Sequence, residues 1–136
     1  METLTCLLID DDADDLEFFT LAIQRLKEQV HCIAFDDGAE ALKKLSDDTT
    51  LRPDFIFLDL NMPRIQGKQI LKEMKKLQRL DTIPVIIYST SSETHDMEET
   101  KALGAADYIV KAPSIKLLSE RLEQVINLHK KPFSSI

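Results

Sequence analysis

Short apolar runs alternate along this chain with longer stretches in which apolar residues recur every three or four positions. The runs are LTCLLI (residues 4–9), HCIAF (31–35), FIFLDL (55–60), VIIYS (85–89) and DYIV (107–110), each rich in β-branched or aromatic residues. Near-continuous apolarity of this kind fits strands covered on both faces. Between the runs, Leu16, Phe19, Ile23 and Leu26 repeat at helical spacing, and so do Ile70, Leu71, Met74 and Leu77. A further helix is predicted over Ala39–Leu45, and a last one from Ser114 to about Leu128 with Leu118, Leu122, Val125 and Ile126 on its inner side. The segment SETHDMEETKAL (92–103) is the weak one. Only Met97, Ala102 and Leu103 anchor it, so it reads either as a mostly solvated helix or as an element free to move.

Five strand–helix units in succession predict a doubly wound α/β domain, with a five-stranded parallel sheet, right-handed crossovers and helices on both faces. Ligands of such sheets gather at the carboxyl ends of the strands. Reading off that rim gives Asp10 and Asp11 after the first run, Asp59 in the third, Ser89 ending the fourth and Lys111 after the fifth. Singly, each is most simply a turn former or a solvated polar group. Gathered at the ends of four strands of one sheet, they favour a site.

The rim begins with LLIDDDADD, which places five carboxylates in the six positions from Asp10 to Asp15. Two carboxylates about 4 Å apart repel by about 4 kcal/mol at an effective dielectric near 20, so such a cluster needs dispersal or a cation. Asp12 is placed to cap the first helix. Asp14 and Asp15 fall in its first turn and read as surface charges that the macrodipole favours, with Asp15 at the third helical position of a capping-box-like pattern. That leaves Asp10 and Asp11 as an ion-holding pair, and with Asp59 they offer the oxygen ligands that suit Mg²⁺. No EF-hand-like loop provides a Ca²⁺ cage, and no His or Cys sits at the rim for zinc.

With its charge so balanced, one carboxylate can attack a phosphoryl group, a transfer that needs mainly positioning and cations around the equatorial oxygens. Asp59 is the best nucleophile, because the Pro- and Gly-bearing loop NMPRIQG that follows leaves room above it. Lys111 offers a second cation and Ser89 a hydroxyl donor.

Composition narrows the partners. A chain of 136 residues suits one domain, and 17 basic against 24 acidic residues leave a net charge of −7 with no basic stripe, which argues against nucleic acid. The apolar runs are too short for a membrane span, and METLTC lacks the features of a signal peptide, so a cytoplasmic protein without a membrane partner is expected. Cys6 and Cys32, in apolar segments and without ligand spacing, read as reduced core residues. His31 and His129 carry no partner pattern.

The motifs IDD (9–11), FLDLNMP (57–63) with Gly67 eight residues past Asp59, PVIIYS (84–89) and GAADYIVK (104–111) follow one another in order. In them the chain resembles the receiver domain of two-component response regulators, of the stand-alone, chemotaxis-receiver-like kind, over essentially its whole length. The resemblance implies a flavodoxin-like (βα)5 fold with strand order 2-1-3-4-5, a receiver over residues 1–129 and a short tail over 130–136. It implies that Asp59 accepts a phosphoryl group from a histidine kinase or histidine phosphotransfer protein. Asp11 would ligate Mg²⁺ directly, Asp10 through water, and Asn61 through its backbone carbonyl. Ser89 and Lys111 would meet the phosphoryl group, and Tyr108 would be the aromatic switch that follows the hydroxyl. The switched face of fourth helix, fifth strand and fifth helix would then dock on a downstream protein, with the receiver a monomer or weak dimer.

One departure is that Lys111 is followed by Ala112, with Pro113 one place later. Receivers carry Pro directly after the lysine, often in a cis peptide. A cis Lys111–Ala112 bond is expected here so that Lys111 still points at Asp59, although a non-proline cis bond costs about 3 kcal/mol.

Two other functions share these residues. A degenerate receiver would use the fold as a constitutive interaction module. A Mg²⁺-dependent phosphohydrolase would need a general acid two residues after the nucleophile, where this chain has Asn61, so slow self-dephosphorylation is the most enzymatic behaviour expected. His95–Asp96 superficially matches a histidine-kinase His–acid pair but lacks the accompanying hairpin and ATP-binding domain.

Overall fold

A computed structural model of the protein describes residues 3–62 and 65–130. Strands β1 (Leu4–Ile9), β2 (Val30–Phe35), β3 (Phe55–Leu58), β4 (Val85–Ser89) and β5 (Asp107–Val110) alternate with helices α1 (Ala13–Ile23), α2 (Gly38–Asp47), α3 (Gly67–Lys75), α4 (Thr94–Ala102) and α5 (Ile115–His129). A short 3-10 turn, Gln78–Leu80, lies between α3 and β4. All strand pairs are parallel and the order is β2-β1-β3-β4-β5, the flavodoxin-like arrangement.

Alternation along β1 divides the core in two. Leu4, Cys6 and Leu8 face Phe19 and Ile23 of α1 and Leu118, Leu122 and Val125 of α5. Leu7 and Ile9 face Ala41 and Leu45 of α2 and Ile70, Leu71 and Met74 of α3. Full burial of a Leu, Ile or Phe side chain is worth about 1.5–3 kcal/mol, so these two layers fix the sheet rigidly under its carboxyl rim. Phe19 packs edge-on against both Phe57 and Tyr88, with centroids 4.9 and 5.4 Å away, and ties α1 to the central strands.

Helix ends follow local chemistry more than apolar spacing. Leu26 and Leu77 lie beyond the ends of α1 and α3, in turns, yet both still pack against the core. In α4 the expected anchor Ala102 is exposed, and the one buried residue is Thr100. Its hydroxyl donates to the Asp96 carbonyl at 2.8 Å, which satisfies the polar group and lets it face inward. Gly104, at φ +104°, ends α4 in a conformation that favours glycine. Among the described residues no helix is long and apolar enough to cross a membrane. Pro63 of the FLDLNMP motif and the tail from residue 131 lie outside the described residues.

Candidate functional site at the carboxyl rim

The register of the central strands builds the site. Ile9 lies opposite Leu58 at the carboxyl ends of β1 and β3, and the Asp59 N–H donates to the Ile9 carbonyl at 2.9 Å. Asp10 and Asp59 therefore leave neighbouring strands side by side. Oxygens of Asp10, Asp11 and Asp59 all lie within 4.8 Å of one another. Asp10 is fully buried and Asp59 is 4% exposed, whereas Asp11 opens to solvent.

Lys111 sits among these acids. Its Nζ is 2.7 Å from Asp15 Oδ2, 2.9 Å from Asp10 Oδ2 and 3.8 Å from Asp59 Oδ2, and it lies 5.1 Å above the Tyr88 ring. Asp10 Oδ1 accepts the Asp12 N–H at 3.0 Å, while the buried Oδ2 has no aligned hydrogen-bond donor, the ammonium lying close but off line. Burial pushes the Asp10 carboxyl up, against the pull of Lys111. It pushes Asp59 up from 3.8 to about 6, reinforced by the Asp10 charge and opposed by Lys111. Burial works against the Lys111 ammonium, but Asp15 and Asp10 outweigh it and raise its pKa.

Three expectations change here. The Lys111–Ala112 bond is trans, as no cis peptide occurs among the described residues. A trans bond avoids the cost of about 3 kcal/mol, and the long lysine side chain reaches the acids from the end of β5 without it. Asp15 is no solvated surface charge: it is half-buried and pairs with Lys111. No reciprocal capping box forms, because the Asp12 N–H is already taken by Asp10. Asp12 itself caps as predicted, accepting from Asp14 N–H at 2.9 Å and Asp15 N–H at 3.2 Å.

The other rim residues meet through the loop after β4. Ser89 is fully buried, and its Oγ accepts the Ser91 N–H at 3.2 Å. The Tyr108 hydroxyl donates to the Ser91 carbonyl at 2.9 Å, so Ser91 joins the two expected switch residues. Asn61 turns its N–H toward Asp59 Oδ1 at 3.4 Å. Gly67 allows the loop after Asp59 to close. A Cβ there would stand 2.2 Å from the Asp59 carbonyl oxygen and 2.6 Å from Leu60 Cα.

A second acidic group, His95, Asp96 and Glu99, lies on α4. The Lys68 ammonium stands between its two carboxylates, 2.7 Å from Asp96 Oδ1 and 2.7 Å from Glu99 Oε2, in the place a cation would take. His95 pairs with Glu99 at 3.3 Å, as part of this network. Sequence reasoning missed Lys68, since a lysine at the start of a helix carries no pattern.

A family model described as the response regulator receiver domain matches residues 6–123. The chain belongs to that family. The receiver is 33% identical over 125 residues to the response regulator SaeR of Staphylococcus aureus, covering 92% of this chain and 51% of that protein. It is 31% identical over 118 residues to a probable cyclic di-GMP phosphodiesterase of Vibrio cholerae, covering 87% of this chain and 25% of that protein. The chain thus spans about half, or a quarter, of the length of these relatives. Among solved structures, the phosphorylated cyanobacterial phytochrome response regulator RcpA superposes with a TM-score of 0.83 at 26% identity, over 94% of each chain. The chemotaxis protein CheY4 of Vibrio cholerae does so with 0.77 at 26%, over 91% of this chain and 99% of that one. Receivers of this family act in two-component phosphorelays and bind Mg²⁺ or Mn²⁺ at an acidic pocket.

The pocket seen here fits a hard divalent cation on its own chemistry. Its side-chain donors are all carboxylate oxygens, one of them buried without an aligned donor, and the crowding of negative charge helps raise Asp59.

Proposed function

We propose that Asp59 is the phosphoacceptor of this receiver, charged from the phosphohistidine of a histidine kinase or histidine phosphotransfer protein. The observation that carries this reading is the convergence of Asp10, Asp11 and Asp59 at one rim with the Lys111 ammonium among them. An Asp59 oxygen attacks phosphorus, forming an acyl phosphate, as the donor P–N bond breaks and its electron pair returns to the imidazole. With a pKa near 6, Asp59 is largely ionised at neutral pH and available as the nucleophile. Lys111 neutralises charge on the arriving group, and Ser89 donates to one of its oxygens.

Mg²⁺ is the ion proposed; Asp11, Asp59 and the Asn61 carbonyl would hold it directly and Asp10 through water. When bound, it supplies positive charge to the phosphoryl oxygens. The added charge biases Ser89 and Tyr108, and the face of α4, β5 and α5 presents the result to a downstream protein. Turnover is limited to slow self-dephosphorylation, because Asn61 offers no general acid. We place the receiver in the cytoplasm as a monomer or weak dimer.

The test is incubation with acetyl phosphate and Mg²⁺, followed by intact mass. A phosphoryl adduct on wild type and none on Asp59→Asn is expected. No adduct at any Mg²⁺ level sinks the reading, and rapid multiple turnover of phosphate monoesters replaces it with a hydrolase.

A further inference from the structure

Helix α4 has little apolar hold on the domain: of its nine residues only Thr100 is buried, and its N-cap, Glu93, makes no side-chain capping bond. What holds its first turns is polar. The Lys68 ammonium, from the second residue of α3, bridges Asp96 and Glu99. A cation at a helix N-terminus opposes the macrodipole, so these carboxylates and not helix preference favour the lysine side chain where it stands. The second oxygen of Asp96 accepts the Ser91 hydroxyl. Ser91 in turn donates its N–H to Ser89 Oγ, and its carbonyl accepts the Tyr108 hydroxyl. Lys68 itself follows Gly67, whose N–H donates to the Leu60 carbonyl and at which any Cβ would meet the Asp59 backbone. One chain of contacts therefore runs from the loop behind Asp59, through Lys68, Asp96 and Ser91, to Ser89.

The direction of the bonds in this chain matters. The Ser89 oxygen is engaged as an acceptor from Ser91, and among the described residues no hydrogen bond takes its hydroxyl proton. Held this way, Ser89 is oriented as a donor, which is the role a phosphoryl oxygen on Asp59 needs. A loop free to drift loses that orientation, and preorganised donors are worth most when their positions are fixed before charge arrives.

Resting on Asp59 as the phosphoacceptor, we propose that Lys68 is a positioning residue for phosphoryl transfer, acting through Asp96 and Ser91 to hold Ser89 as a hydrogen-bond donor toward the phosphoryl group. The raised Lys68 pKa, caused by Asp96 and Glu99, and the lowered pKa values of both acids accord with tight pairing.

The experiment measures the rate of acyl-phosphate formation from acetyl phosphate at saturating Mg²⁺ for wild type, Lys68→Met, Lys68→Arg, Asp96→Asn and the Lys68→Met/Asp96→Asn double variant. Lys76→Gln, which breaks only the exposed Lys76–Glu73 pair, serves as control. Lys68→Met is expected to slow phosphorylation about fivefold, the factor that one or two half-exposed ion pairs supply. Lys68→Arg should restore most of the rate, and the double variant should be no slower than the slower single one. Mg²⁺ affinity, measured by calorimetry on the same proteins, should stay unchanged, which a general loosening of the rim would not allow. A phosphorylated wild type with an unchanged Lys68→Met rate, multiplying losses in the double variant, or a matching loss of Mg²⁺ affinity overturns the proposal alone. A wild type that takes no phosphoryl group overturns the phosphoacceptor reading beneath it.

Discussion

Replacing Asp59 by Asn should stabilise the metal-free protein. Asp59 is 4% exposed and its carboxyl is pushed from 3.8 to about 6, by burial first and then by the charge of Asp10. Between these two values the folded protein holds a proton that the unfolded chain has released, so stability falls as pH rises through that window. Above about pH 6 the full cost is present, and a displacement of this size corresponds to about 3 kcal/mol. Asparagine keeps the shape and an acceptor for the Asn61 N–H while removing the charge. Urea unfolding in EDTA at pH 7.5 should therefore find Asp59→Asn more stable by about 2–3 kcal/mol, a midpoint shift of about 1–2 M. The gap should close as pH falls from about 6 toward 4, and millimolar Mg²⁺ should narrow it by stabilising the wild type. An Asp59→Asn protein no more stable at pH 7.5, or a gap that ignores pH, would refute the charge-crowding argument.

Lys111→Met should cost about 3 kcal/mol at pH 7.5 by urea unfolding, because Asp10, fully buried, loses the cation that compensates it. Gly67→Ala should cost about 2 kcal/mol or more, since the new Cβ meets backbone atoms that cannot swing aside, and it should slow Asp59 phosphorylation as the acceptor's backbone is displaced. Asp12→Ala should cost about 1 kcal/mol through the lost cap of α1 with no change in phosphorylation rate. An equally slowed rate would place Asp12 in the site after all.

The sheet and its rim were legible because period and chain order carry them. The apolar runs from Leu4, Phe55, Val85 and Asp107 became strands, and a parallel sheet with this topology has one rim where Asp10, Asp11, Asp59, Ser89 and Lys111 can meet. Helix ends were less legible: Leu26 and Leu77 keep helical spacing and reach the core from turns. Ala102 looked like an anchor and Thr100 did not, because a hydroxyl that bonds its own helix backbone can be buried without an outside partner. Asp15 was misread for a different reason. Its place in the first turn of α1 explains a surface acid well enough, and only the long reach of Lys111 across 96 residues of sequence gives it a second role. Lys68 had no signal, since its meaning lies in two acids on another helix.

The proposed function rests on Asp59 as the carrier of the phosphoryl group. Treating the receiver with acetyl phosphate and Mg²⁺, reducing it with borohydride and sequencing its peptides by mass spectrometry tests this directly, because an aspartyl phosphate is reduced to homoserine where it stood. Homoserine is expected at position 59, dependent on Mg²⁺ and on phosphodonor. Homoserine at Asp10 or Asp11 instead, or at no position, contradicts it.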